Sequence, residues 1–309
     1  MAGMAHLPDS VLDAIVVPPL RELSDGFHVR RALPSAKRRM VGPFVFVDQM
    51  GPHIFPVGSG LDVRPHPHIG LATVTYLLQG EIIHRDSLGS VQAIRPGELN
   101  WMSAGRGIVH SERTAPPARQ SPSPLSGLQC WVALPQANED DAPSFAHFDA
   151  SQLPAIEGEG VSARVVAGDC FGRRSPAPTL WPLFFVDVQL QPGARLEVPA
   201  QYRERAVYVA DGSLGVAGEG PFDAGQLLVL TPGVGVTLAG AGSTPTRLML
   251  LGGEPMDGPR YLAWNFVASS LDRIEQAKQD WRDGRFAPVP GETEFIPLPE
   301  LPGRPVSYP

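Results

Sequence analysis

Turn signals set the architecture of this chain. Between Leu71 and Glu112 they fall at Gln79-Gly80, Asp86 to Ser90, Arg95-Pro96-Gly97-Glu98 and Ser103 to Gly107. The runs between them are short and apolar: Leu71 to Leu78, Glu81 to Arg85, Val91 to Ile94, Leu99 to Met102 and Ile108 to Glu112. A turn about every ten residues is the spacing of an all-β barrel or jelly roll. Phe27 to Leu33 and Val41 to Asp48, rich in aromatic and β-branched residues, read as further strands. Gly51-Pro52-His53 and Gly58-Ser59-Gly60 read as loops, and Thr114 to Ser126 as an exposed one, before Leu128 to Leu134 resumes the sheet.

The second half repeats this pattern without the same residues. Tyr76-Leu77-Leu78-Gln79-Gly80 aligns with Tyr208-Val209-Ala210-Asp211-Gly212, and Pro96-Gly97-Glu98-Leu99 with Ala224-Gly225-Gln226-Leu227. The predicted organisation is therefore two tandem barrels. Residues 1–135 form an N-terminal domain, 136–180 a crossover with one strand around Ala163 to Ala167, and 181–309 a C-terminal domain. Pro8 to Leu23 reads as a short helix stopped by Pro18-Pro19. Ser269 to Asp283 reads as a C-terminal helix with Leu271, Ile274, Ala277 and Trp281 on its apolar face, followed by Gly284. Pro288 to Pro309 reads as an extended surface segment.

Composition narrows the classes of function. The 309 residues include 33 Gly and 34 Pro without a period, 43% hydrophobic and 18% charged residues, which fits a packed globular chain. A net charge of −7 argues against direct nucleic-acid binding, which needs a basic face. The basic cluster of Arg30, Arg31, Lys37, Arg38 and Arg39 reads as a solvated or inter-domain surface. Two cysteines, Cys130 and Cys170, imply no disulfide framework, and no signal peptide or membrane-spanning run is evident. A cytoplasmic location is the expectation.

The chemistry lies at the ends of the strand-rich segment. His66-Pro67-His68 opens it and His110-Ser111-Glu112 closes it. On a strand, residues two apart face the same side. If the two strands are neighbours, His66, His68, His110 and Glu112 converge as a three-imidazole, one-carboxylate metal site. Imidazole suits Zn, Cu, Fe and Ni, and a carboxylate hardens the site toward Fe or Mn. Both ligand pairs vanish in the repeat, where Val198-Pro199-Ala200 and Leu238-Ala239-Gly240 stand, and no histidine follows His147. The second barrel is expected to hold no metal.

These residues resemble the pirin family of bicupins, members of the cupin superfamily. The resemblance runs through Arg64-Pro65-His66-Pro67-His68-Ile69-Gly70, Thr73 to Gly80, Pro96 to Glu112 and Gly127-Leu128-Gln129-Cys130-Trp131-Val132. It implies two stacked jelly-roll barrels with a short C-terminal helix. It also implies one mononuclear metal in the first barrel, usually Fe(2+), held by His66, His68, His110 and Glu112; Ni, Cu, Mn, Co or Zn are the other ions considered. Some members resemble quercetin 2,3-dioxygenases, which open a flavonol ring with O2 and release CO. Others are nuclear cofactors of transcription. Where many members carry Glu four residues after the second histidine, this chain has Ala72, which removes one acid from the neighbourhood of the site.

The function expected is thus a metal-dependent dioxygenase acting on a flavonol-like aromatic substrate and O2, with Glu112 as general base. Arg106 would stabilise anionic character or serve only its loop. Phe44, Phe46, Trp101 and Met102 would line an apolar pocket or fill the barrel, and Gln129 would support a ligand histidine. The rival is a non-enzymatic metal-binding regulatory module, whose metal state controls an unidentified protein partner through the Arg30 to Arg39 cluster.

Overall fold

The computed structural model describes residues 10–24, 26–300 and 306–308. The chain order is β1 Leu12–Val16, β2 Leu20–Ser24, β3 Phe27–Leu33, β4 Phe44–Phe55, β5 Asp62–His68, β6 Leu71–Gln79, β7 Ile82–Asp86, β8 Val91–Ile94, β9 Leu99–Ser103, β10 Ile108–Arg113, β11 Ser123–Ala133 and β12 Ser144–Phe148. There follow β13 Ala155–Gly158, β14 Val161–Cys170, β15 Arg173–Arg174, β16 Leu183–Leu190, β17 Arg195–Val198, β18 Glu204–Asp211, β19 Ser213–Val216, β20 Pro221–Asp223, β21 Leu227–Leu230, β22 Val236–Gly240 and β23 Thr246–Gly253. After the second barrel come β24 Arg260–Ala263, β25 Phe266–Ala268, α1 Leu271–Arg282 and β26 Val306–Tyr308.

Each barrel is a large sheet facing a small one. In the first, the order β12-β9-β6-β11-β4-β3-β2 faces β5-β10-β7-β8. In the second, β1-β21-β18-β23-β16-β14-β13 faces β17-β22-β19-β20. The 136–180 stretch supplies strands to both: β12 pairs with β9, whereas β13 and β14 join β16.

The two large sheets pack face to face, which is why their strands are apolar on both sides rather than alternating. On β6, Ala72, Val74 and Tyr76 enter the shared core. Leu71, Thr75 and Leu77 turn into their own barrel. Across the interface stand Phe185, Tyr208, Met249 and Leu251. Two buried hydroxyls bridge it in opposite directions. Tyr76 donates to Asp187 at 2.8 Å, and Tyr208 donates to Gln49 at 2.6 Å. These are the two tyrosines that the sequence repeat aligns, so the repeat is an approximate two-fold relation between the barrels.

Three local expectations change. Residues 12–24 form two strands instead of a helix, while Pro8 and Asp9 of the expected helix lie outside the described residues. The open edge of β21 captures β1, pairing Ile15 with Leu228 and Val16 with Leu227. That pairing gives Ile15 and Val16 a sheet partner that outweighs local helix periodicity. Gly51-Pro52-His53 lies inside β4 at a register shift; Gly51 has φ +65°, and a Cβ there would meet the Leu125 carbonyl oxygen at 2.3 Å. Thr114 to Ser126 contains a 3-10 turn at Pro116–Gln120 and the start of β11. The helix α1 starts at its Ser270 cap, which accepts from the Arg273 N–H, and buries Ile274 and Ala277 beside Ile69 and Phe266.

Beyond α1 the chain crosses the outer face of β5 and β10. The Ile296 N–H donates to Pro65, Trp281 Nε1 donates to Ile296, and Glu292 accepts from Ser111 and Arg113. Residues 301–305 and 309 of the expected extended segment lie outside the described residues. Cys130 and Cys170 are both buried free thiols. Among the described residues, no helix is long and apolar enough to cross a membrane.

Candidate metal centre

β5 and β10 are antiparallel neighbours, and His110 pairs directly with His66. Period-2 geometry then brings His68 to the same inner face, and the ring centroids lie 4.4 to 5.0 Å apart. The ligand nitrogens of His66, His68 and His110 all lie within 4.8 Å of one another, and all three residues are buried.

Hydrogen-bond partners determine where the ring protons sit. His66 Nδ1 is 2.9 Å from the Arg64 carbonyl, and His68 Nδ1 is 3.2 Å from the Asn265 carbonyl. A carbonyl only accepts, so each Nδ1 carries the proton and each Nε2 is bare. His110 Nδ1 lies 3.3 Å from His84 Nδ1, while His84 Nε2 lies 2.9 Å from Asp86 Oδ2. The carboxylate only accepts, so His84 donates to it from Nε2, which leaves His84 Nδ1 to accept from His110. The His110 Nε2 is then bare as well, 3.1 Å from His68 Nε2. Three desolvated lone pairs aimed at one point, with no proton between them, fit a cation.

The electrostatics agree. Burial holds His66 down to about 4, and burial with neighbouring imidazoles holds His68 and His110 well below the usual range. All three are neutral at pH 7, the form that binds metal. Burial disfavours the charged form of Asp86, but hydrogen bonds from His84 and Ser90 outweigh it and keep the carboxyl low.

Glu112 shares the cavity with the triad but is not within 4.8 Å of all three ring nitrogens. Its Oε1 accepts from Thr75 Oγ1 at 3.2 Å. Burial pushes its carboxyl up, opposed by His84 and by that hydrogen bond. Thr75 Oγ1 also lies 2.9 Å from the Gln129 amide. Thr75 Oγ1 is thus the donor toward both Gln129 Oε1 and Glu112 Oε1, and its single proton is shared between two acceptors. Gln129 lines the cavity beside Thr75 and Glu112.

The cavity is about 490 Å3. Of the aromatic candidates, Phe46 lines it, stacked on Trp131 at 4.1 Å, with the Arg31 guanidinium on its other face at 4.5 Å. Arg31 is itself held by a two-pronged pair to Asp48, at 3.0 and 2.9 Å. Phe44 does not line the cavity. β11 pairs Trp131 with Phe46 but Val132 with Phe44, one residue out of step. This bulge sends Phe44 into the shared core against Phe185 at 5.9 Å. Trp101 also sits in the shared core, and Met102 packs with Ile108 and Phe145. Arg106 is exposed, and its carbonyl accepts from Arg273.

Residues from beyond the second barrel complete the walls: Leu262, Trp264, Asn265 and Ile296. Trp264 has φ +56° in the two-residue turn between β24 and β25. That conformation is costly for a residue with a Cβ, and it presents the next carbonyl to His68. Nothing local in the sequence marks these residues. His84 and Asp86 did carry a signal, the same i, i+2 spacing on a strand next to β10.

The second barrel differs at the corresponding place. β17 pairs with β22 as β5 pairs with β10, but Val198, Val236 and Leu238 are packed into a continuous apolar core. Near it Arg205, only 1% exposed, ties the carbonyls of Pro199, Thr231 and Val234 together. Among the described residues, one other group has metal-ligand spacing, Glu98, His147 and Asp149, at the surface of the first barrel.

Two stacked jelly rolls, one with a histidine triad and one filled, define a two-barrel cupin protein. Family models agree: Pirin matches residues 26–132, and Pirin C-terminal cupin domain matches residues 185–287. The chain belongs to the pirin family. It is 50% identical over 278 residues to a pirin-like protein of Caulobacter vibrioides, covering 89% of this chain and 95% of that one. It is 31% identical to mouse pirin over 275 residues, covering 86% and 90%. The crystal structure of a quercetin 2,3-dioxygenase from Acinetobacter baumannii superposes with a TM-score of 0.86 at 34% identity, covering 94% and 97%.

Proposed function

We propose that the first barrel is an oxygenase site of the flavonol 2,3-dioxygenase type. His66, His68 and His110 would hold one divalent ion, iron in this reading, with Glu112 beside them. The ion, when bound, supplies Lewis acidity toward a substrate hydroxyl and open coordination positions. The chain's own residues orient the substrate and move a proton. Glu112, buried and oriented by Thr75, accepts the proton of the substrate hydroxyl; burial gives it a greater proton affinity than an exposed carboxylate has. The stacked faces of Phe46 and Trp131, with Trp264 at the wall, offer a planar aromatic substrate an apolar berth in a cavity of ligand size. Similarity to the Acinetobacter dioxygenase supports this reading.

The observation that carries the proposal is the convergence of the His66, His68 and His110 ring nitrogens, all within 4.8 Å of one another, on a cavity shared with a buried carboxylate. The test is O2 uptake and CO release with quercetin by iron-loaded protein. We expect both, lost in His110→Ala. No O2 uptake above a metal-only blank would overturn the assignment. The rival regulatory reading gains no support from the basic cluster, which does not form one face. Arg31 lies in the cavity, Lys37 is bonded to the Ile15 carbonyl, and Arg38 is paired with Asp13 and Glu204.

A further inference from the structure

The three histidines reach the same protonation pattern by different means. His66 and His68 each face a backbone carbonyl, which cannot donate, so no side-chain substitution can reverse their protons. His110 faces another imidazole. An imidazole can donate or accept, so the sense of that bond must be imposed from the far side of His84. Asp86 is there. Its Oδ2 takes His84 Nε2 at 2.9 Å, while its Oδ1 accepts the N–H groups of Leu88 at 2.9 Å and Ser90 at 3.0 Å. Asp86 is fully buried, His84 nearly so, and Phe145 stacks on the His84 ring at 4.4 Å and 12°, holding its plane.

We propose that Asp86 and His84 are positioning residues that decide which nitrogen of His110 is free to meet the metal, and so how tightly the first barrel holds one. This rests on the reading of His66, His68 and His110 as ligands. The carboxylate matters because it can only accept. It calls the His84 proton to Nε2, which frees His84 Nδ1 to accept from His110 Nδ1, which leaves His110 Nε2 bare.

The isosteric variant Asp86→Asn tests the logic without changing volume. The two backbone N–H groups require the amide oxygen, so the amide NH2 must face His84 and donate to its Nε2. The His84 proton then moves to Nδ1 and is donated to His110 Nδ1. The His110 proton moves to Nε2, pointing at His68 Nε2 3.1 Å away, which accepts it. Every polar group stays satisfied, so the fold persists, but a proton occupies the line of approach of the metal.

The probe is Co(II), titrated into metal-free wild type and Asp86→Asn and followed by its visible absorption. Long-range 1H–15N correlation of the histidine rings in the metal-free proteins runs alongside. We expect wild type to show His84 protonated on Nε2 and His110 on Nδ1, and the variant to show both reversed with Co(II) affinity about 10- to 100-fold weaker. A variant with wild-type affinity and an unchanged Co(II) spectrum overturns the proposal. If the variant does not fold, the wild-type spectrum decides: a His110 proton on Nε2, or a His84 proton on Nδ1, overturns it equally. Wild type that takes up no Co(II) at the triad defeats the metal-site reading instead, a separate outcome.

Discussion

The two barrels share a strand order and differ in what fills them. In the first, three imidazoles, Glu112 and Thr75 occupy the inner face between β5, β10 and β6, and a cavity remains. In the second, Val198, Val236 and Leu238 close the same space, and Arg205 ties down the loops around it. One scaffold therefore supports either a histidine-lined hollow or a solid core, according to a few inward-facing positions. Function here follows those positions and not the fold.

The largest contrast is expected from matched truncations. His110→Ala should abolish stoichiometric metal binding by the chain, read by elemental analysis, with little loss of fold. Leu238→Ala in the second barrel should leave metal content intact and destabilise the protein by about 2–5 kcal/mol in urea unfolding, the cost of a buried leucine and its cavity. Metal loss in the second variant would break the division of labour between barrels.

Next in size is Arg205→Ala. It removes the buried donor that three loop carbonyls share and should cost about 1–3 kcal/mol by the same unfolding measurement, with metal binding unchanged. A cost near zero would show that the loops of the second barrel hold without their tether.

The pH response should separate the barrels too, because only the first contains histidine in its core. The folded-state pKa of His66 is depressed to about 4 and those of His68 and His110 lie well below normal. Below about pH 6.5 the unfolded chain takes up protons on these rings and the folded chain does not. Metal-free stability should be greatest above pH 6.5 and fall steadily as pH drops toward 4. The midpoint of urea unfolding measures this, and His66→Gln should flatten the slope. An unchanged slope would show that the ring is not desolvated.

The smallest effects probe the two-fold relation. Tyr76→Phe and Tyr208→Phe each delete one hydrogen bond across the shared core, and each should cost about 1 kcal/mol. Unequal costs would measure how far the halves have diverged, since Asp187 keeps Arg247 as a partner while Gln49 keeps only the Ala210 carbonyl.

Much of this was legible in the residues. Turn spacing marked most of the first barrel's strands, and period-2 spacing marked His66, His68 and His110 as one face, because both signals are local. Phe44 shows where local reasoning ends. It is two residues from Phe46, yet one bulge places them on opposite sides. β1 was misread as helix for a related reason: its partner, β21, lies more than 200 positions away. Trp264, Asn265 and Ile296 were invisible, since only tertiary return brings them to the cavity. Thr75 and Gln129, by contrast, lie within strands that were recognised, but their hydrogen bonds to Glu112 and to each other depend on cross-strand register.

That return has a consequence for biogenesis. The carbonyl that orients His68 and the side chains that roof the cavity are synthesised more than 120 residues after His110. On the ribosome, the histidines emerge long before their enclosure exists. The cavity is closed only once the segment from Leu262 to Ile296 has been made and has folded back, and a chain cut short before Leu262 would present the three histidines without that wall.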